Sequence, residues 1–193
     1  MNVIKIEKNN LINGAGCRVV LWTAGCCHNC KGCHNPETHD NSIGEKFNTE
    51  HKEQLFEQLA DDNIDGITLT GGDPLMLYNH KDLLPLLKEI RTKFPDKTIW
   101  AWTGFTWETI KDSEIVKYID VLIDGKFIEE LKPKRKNLRY RGSLNQRVID
   151  VQKSLADNSV VYWEDFDGWT SNKDKVKSLD TAYQQYKASC DCE

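Results

Sequence analysis

From Arg18 to Asp124, short apolar runs rich in β-branched and aromatic residues alternate with amphipathic segments. This alternation is the strongest constraint on how the chain can fold. Arg18-Val19-Val20-Leu21-Trp22-Thr23 reads as a buried strand. Asn48 or Thr49 is placed to cap a helix in which Leu55, Phe56 and Leu59 share a face. Gly66-Ile67-Thr68-Leu69-Thr70 is a second strand, ending in Gly71-Gly72. Asp82 then starts a helix with Pro85 in its first turn and Leu83, Leu86, Leu87, Ile90 and Phe94 as its apolar stripe. Thr98 to Thr103 is a third strand, Trp107 to Tyr118 a helical segment, and Asp120 to Asp124 a fourth strand closed by Gly125. Gln146 to Val151 is a candidate fifth. The β-α-β-α-β-α-β order predicts an α/β fold with right-handed crossovers and a mostly parallel sheet. Sites in such folds gather at the carboxyl ends of the strands. A cysteine-rich stretch and the Gly-Gly pair both fall just past such an end.

Four of the seven cysteines crowd into Gly25-Cys26-Cys27-His28-Asn29-Cys30-Lys31-Gly32-Cys33. Met1 to Lys8 alternates apolar and charged residues and has the look of neither a leader nor an anchor, and no later stretch is apolar enough to span a bilayer. A cytoplasmic location follows as the expectation, and there thiols stay reduced, so this density points to metal or redox chemistry before disulfides. Cys26, Cys30 and Cys33 stand in a C-x3-C-x2-C spacing with Cys27 spare. Three thiolates on one loop can hold three corners of a cubane cluster and leave the fourth iron open, as a catalytic metal site requires. A structural zinc site using His28 or His34 is an alternative on spacing alone. A ferredoxin-type carrier wants a fourth cysteine and a following proline, which the loop lacks. With a net charge of −4, nucleic acid is not the expected partner.

The ordered motifs resemble the radical S-adenosylmethionine superfamily, and within it the glycyl-radical-enzyme activases. The resemblance rests on the cysteine spacing and on Asn13-Gly14-Ala15-Gly16-Cys17-Arg18 ahead of the first strand. It extends to Thr70-Gly71-Gly72-Asp73-Pro74-Leu75, Trp102-Thr103-Gly104-Phe105, Asp120-Val121-Leu122-Ile123-Asp124-Gly125 and Arg141-Gly142-Ser143-Leu144-Asn145-Gln146-Arg147. It runs from about Asn13 to Val151 and is most similar to the branch acting on anaerobic ribonucleoside-triphosphate reductase. With a chain this short, it implies an incomplete parallel (βα) barrel of the radical S-adenosylmethionine type over residues 1–151, with residues 152–193 as a C-terminal extension.

The resemblance implies a [4Fe–4S] cluster on Cys26, Cys30 and Cys33 that reductively cleaves S-adenosyl-L-methionine. The 5′-deoxyadenosyl radical so formed would generate a glycyl radical on the large subunit of the reductase. Flavodoxin or a similar protein would supply the electron; a homodimer is left open, and no membrane is involved. Gly71 and Gly72 would let backbone approach the methionine end and offer N–H groups to its carboxylate, and Asp73 would accept from its ammonium. Most members carry an aromatic residue just before the third cysteine. Here that position is Gly32, which passes the adenine contact to His34 or another residue beside Cys33. Asn145 and Gln146 are carried over as ribose or carboxylate contacts, and a small-molecule radical modifier is the alternative within the superfamily.

Other features read as structure first. Trp100 and Trp102 alternate on a strand and belong to a core before a ligand site. Lys132 to Lys136, with Arg139 and Arg141, is a solvated loop or a docking patch. Cys190 and Cys192 are tail thiols.

Overall fold

The computed structural model describes residues 1–133 and 139–163. Among these residues seven strands form one sheet: β1 (Asn2–Asn10), β2 (Arg18–Thr23), β3 (Glu45–Lys46), β4 (Gly66–Gly71), β5 (Thr98–Trp102), β6 (Val121–Asp124) and β7 (Arg147–Asp150). The helices are α1 (Thr49–Leu59), α2 (His80–Lys93), α3 (Trp107–Ile110) and α4 (Val151–Asp157). In space the strands run β3-β1-β2-β4-β5-β6-β7. Among the described residues the sheet is open, with β3 and β7 at its edges.

β2, β4, β5 and β6 are parallel neighbours, as crossovers through α1, α2 and the α3 segment require. The flanks differ from the mostly parallel expectation: β1 and β7 each run antiparallel to their neighbour. The alternation in Met1 to Lys8 is itself strand β1, whose chain returns directly into β2. The segment from β6 to β7 carries only a short 3-10 turn at Glu129–Leu131 among its described residues, and β7 returns antiparallel beside β6.

Asn48 caps α1 as its residue type predicts, its side chain accepting from the His51 N–H at 3.0 Å. α2 begins at His80, two residues before Asp82, which instead receives the Met1 ammonium group. Pro85 therefore lies inside the helix, where its missing N–H deprives the Lys81 carbonyl of its helical partner. The predicted helix from Trp107 to Tyr118 divides into α3 and a 3-10 turn at Glu114–Tyr118, broken at the extended Ser113.

Strand alternation sorts side chains to two faces. Val19, Leu21, Ile67, Leu69, Ile99, Ala101 and Leu122 pack against Leu55 and Leu59 of α1 and Leu83, Leu86, Leu87 and Ile90 of α2. On the opposite face Trp100, Val121, Ile123 and Val148 form a second cluster with Tyr140 and Trp163. Trp100 is a core residue, 2% exposed, while Trp102 is half-buried and donates its indole N–H to Tyr140 O.

Arg18, fully buried at the start of β2, ties the amino ends of three strands. Its guanidinium donates to Thr68 Oγ1, Ala15 O, Ile67 O, Thr98 Oγ1 and Thr98 O at 2.7–3.0 Å. Burial pulls its pKa down to about 10, still charged at neutral pH. Replacing it by leucine strands those buried acceptors, so Arg18→Leu is expected to lower stability by about 3 kcal/mol. Urea unfolding measures this, and an unchanged midpoint would contradict the assigned role.

Candidate iron–sulfur site

The cysteine loop begins where β2 ends, and the parallel register sets Thr23 opposite Gly71. The carboxyl end of β2 therefore stands beside the Gly-Gly of β4, as the two motifs predict. Gly25 N–H donates to Thr38 O at 2.8 Å and Cys26 N–H to His39 O at 3.1 Å, fixing the start of the loop against the 3-10 turn at Pro36–His39. Gly72 N–H donates to Thr23 O at 2.8 Å and Asp73 N–H to Gly25 O at 2.9 Å. The two backbones approach so closely that a Cβ at Gly72 would sit 2.3 Å from Gly25 O. Glycine is required there by contact distance.

Asp73 is 1% exposed and both oxygens of its carboxylate are engaged. Oδ1 accepts from Leu75 N–H at 2.9 Å. Oδ2 accepts from Thr103 Oγ1 at 2.8 Å and Gly104 N–H at 2.9 Å, and faces His28 Nε2 at 2.7 Å. In this arrangement neither the Asp73 carboxylate nor the Gly72 N–H is open to a ligand. Both are committed to joining strand ends.

Cys26, Cys30 and Cys33 are half-buried thiols outside any disulfide, and Cys27 is exposed with its sulfur 3.7 Å from Met76 Sδ. Burial pushes the Cys26 thiol up to about 11 against the opposing pull of the His28 backbone N–H, with Asp73, Cys30 and Cys27 adding smaller upward pushes. Burial also raises Cys30, opposed by the Phe127 backbone N–H. Burial of this kind penalises the thiolate, and a bound cation removes that penalty. Among the described residues, no group of three or more Cys, His, Asp or Glu is already gathered to hold a single metal ion. The donor set nonetheless fits a multi-iron cluster: three reduced sulfurs on one loop, two of them met by backbone N–H groups.

The other candidate residues divide between rim and scaffold. Gly32, at φ +69°, lies against the Glu129 carboxyl group, and Lys31 pairs with Glu129 at 3.3 Å. His34 is exposed just past Cys33. Gln146 donates to Gly125 O at 2.9 Å and accepts from Gly142 N–H at 2.8 Å, while Asn145 donates to Lys126 O at 2.8 Å. These amides therefore brace the loop after β6. Arg147 closes the same end by pairing with Asp124 and Glu108.

His28, weighed from sequence only as a zinc ligand, commits Nε2 to Asp73. Tyr78, unremarked in the sequence, has its phenol raised chiefly by burial, with Cys26 and Asp73 next, so it lies at the same site. Only its place five residues past Asp73 hinted at this. Lys134 to Lys136, Cys190 and Cys192 lie outside the described residues, as does the extension beyond Trp163. No helix among the described residues is long and apolar enough to cross a membrane.

Residues 12–149 match the family described as a 4Fe-4S single cluster domain, so the chain belongs to that class of iron–sulfur proteins. The match favours iron–sulfur over zinc for the cysteine loop. The chain is 43% identical over 148 residues to the anaerobic ribonucleoside-triphosphate reductase-activating protein of Enterobacteria phage T4, covering 77% of this chain and 93% of that one. It is 40% identical over 150 residues to the protein of the same name from Vibrio cholerae, covering 76% and 96%. For the Escherichia coli protein the identity is 39% over 152 residues, covering 77% and 97%. The chain belongs to the family of anaerobic ribonucleoside-triphosphate reductase-activating proteins.

In protein stripped of iron, Cys27 is expected to react first with iodoacetamide at pH 8, ahead of Cys26 and Cys30, because it is exposed and they carry raised pKa values. Peptide mass mapping over time reads this order, and faster labelling of Cys26 than of Cys27 would contradict the burial assigned to the loop.

Proposed function

We propose that this protein activates an anaerobic ribonucleoside-triphosphate reductase as a radical S-adenosylmethionine enzyme of the glycyl-radical-activase type. The observation that carries the reading is the juxtaposition of Cys26, Cys30 and Cys33 with Gly71-Gly72-Asp73-Pro74 at neighbouring carboxyl ends of β2 and β4. The family to which the chain belongs supports the reductase as partner.

When bound, a [4Fe–4S] cluster reduced by flavodoxin or a similar donor would supply the one electron that cleaves the S–C5′ bond of S-adenosylmethionine, releasing methionine and a 5′-deoxyadenosyl radical for hydrogen abstraction from a glycine Cα of the reductase. The chain's task is to hold, orient and exclude. Cys26, Cys30 and Cys33 would hold the cluster by three thiolates and leave it open on the side of the methionine end. Gly71 and Gly72, whose missing Cβ atoms let the end of β4 close onto the end of β2, set the level of the floor on which the methionine end would rest. The Asp73 carboxylate, held by Thr103, Gly104 and His28, contributes negative charge beneath the ammonium group instead of a free hydrogen-bond acceptor. Gly32, Cys33 and His34 border the adenine side. The open sheet is read as the incomplete barrel of this class, which would leave the site accessible to a protein segment as substrate.

Anaerobic reconstitution with iron and sulfide, followed by reduction and an assay for 5′-deoxyadenosine, tests the reading. Cys26→Ser, Cys30→Ser and Cys33→Ser are each expected to lose iron and product to background, and Cys27→Ser to keep both. Wild-type protein that assembles a cluster yet leaves S-adenosylmethionine intact would overturn it. A glycyl radical signal on added reductase, dependent on the same three cysteines, tests the partner.

A further inference from the structure

The segment after β6 reaches across to the end of the cysteine loop. Its 3-10 turn at Glu129–Leu131 is fastened from beneath: Ile128 is buried and donates its N–H to Ser143 Oγ at 3.2 Å, and Leu144 N–H donates to Leu131 O at 3.0 Å. On this fixed turn the Glu129 side chain lies against Gly32. A Cβ on Gly32 would stand 2.8 Å from Glu129 Oε1 and 3.0 Å from its Cδ, so the carboxyl group takes the place a side chain at position 32 would fill. Lys31 Nζ lies 3.3 Å from Glu129 Oε2 and 3.7 Å from Glu130 Oε1. One oxygen of Glu129 is thus held by the lysine, while the other lies over the glycine, one residue from Cys33. The Glu129 side chain is 45% exposed, so its carboxylate is open to a ligand as that of the buried Asp73 is not.

A carboxylate only accepts hydrogen bonds, so Oε1 calls for a group that donates. S-adenosylmethionine has three kinds of donor: the methionine ammonium group, the ribose hydroxyls and the 6-amino group of adenine. The ammonium group belongs with Gly71-Gly72-Asp73 at the end of β4, whereas Glu129 comes from beyond β6, two strands along the sheet. The ribose carries C5′ and stays beside the sulfonium; the base is the part farthest from the methionine end. Its 6-amino group has a lone pair spread into the ring, so it donates without accepting. We propose that Glu129 is a specificity-determining residue for the adenine end of S-adenosylmethionine: Oε1, oriented by Lys31 and lying where Gly32 has no side chain, accepts a hydrogen bond from the 6-amino group. This rests on the reading of the protein as a radical S-adenosylmethionine enzyme. A site with a positioned acceptor rejects an analogue that lacks the donor, because the acceptor is then left unpaired.

The test is equilibrium dialysis of anaerobically reconstituted protein, kept oxidised so that nothing turns over. The ligands are S-adenosylmethionine and its analogue with hydrogen in place of the 6-amino group. Wild-type protein is expected to prefer S-adenosylmethionine about tenfold, the size of one hydrogen bond to a charged group at a partly exposed rim. Glu129→Ala is expected to bind the two ligands alike, and Glu129→Gln, whose side-chain carbonyl still accepts, to keep a reduced preference. If Glu129→Ala does not fold, the wild-type preference and its reduction in Glu129→Gln carry the test. Equal weakening toward both ligands, with the preference intact, would make Glu129 a brace for the cysteine loop and overturn the assignment. Loss of discrimination against the 2′-deoxy analogue in its place would put the carboxylate on the ribose and overturn it as well. Wild-type protein that binds both ligands equally overturns the assignment alone. Wild-type protein that carries a cluster yet binds no S-adenosylmethionine overturns the function proposed above along with it.

Discussion

A carboxylate placed at 1% exposure loses its hydration and is tolerated only when nearly every lone pair finds a donor. Asp73 meets that condition with donors from three separate stretches of chain: Leu75 on its own turn, Thr103 and Gly104 past β5, and His28 in the cysteine loop. The charge therefore acts as a fastening between strand ends that the β ladders alone leave unjoined, since ladder pairing stops where the loops begin. Removing any one donor raises the cost of burying the charge, so the loops hold or loosen together. The chemistry proposed for the site depends on this, because a cluster loop that drifted against the Gly71-Gly72 floor would lose the alignment between iron and ligand.

The far end of the sheet is braced by the opposite charge. Arg18 spreads its donors over carbonyls and hydroxyls of β4, β5 and the lead-in loop, and a Cβ at Gly14 would come within 2.7 Å of its side chain. The Asn13-Gly14-Ala15-Gly16-Cys17-Arg18 motif is thereby explained as architecture, remote from the cysteines. The Arg141 to Arg147 motif is likewise largely a clasp: Gln146 stitches Gly142 to Gly125, and Arg147 bridges Asp124 and Glu108. Two of the motifs that carried the resemblance thus serve the frame that presents the site.

Legibility in the sequence followed the reach of each interaction. β2, α1 and β4 were readable because local periodicity, a capping asparagine and terminal glycines each act within a few residues. The cysteine loop beside Gly-Gly was also readable, since both follow strands in a βαβ succession. The antiparallel flanks were not, because strand direction at an edge depends on what the intervening loop does, and a charged alternation such as Lys5-Ile6-Glu7-Lys8 signals a strand without signalling its partner. The binding of His28 to Asp73 was hidden for a stronger reason: 45 residues separate them, and spacing to nearby cysteines suggested a ligand's role instead.

β1 also bears on how the sheet resists extension by another chain. Beyond its pairing with the two-residue β3, its outer edge presents backbone groups that another chain could extend. Irregularities between Val3 and Lys5 and between Glu7 and Asn10 in its ladder with β2 bend the strand, and Lys5, Glu7 and Lys8 decorate it with charge. Lys5 also lies 4.6 Å over the Trp22 ring and pairs with Glu7, covering apolar surface that would otherwise be sticky. A protein proposed to keep one face open to a large substrate cannot have a second adhesive edge, and β1 is built so that strand-by-strand aggregation finds no smooth template there.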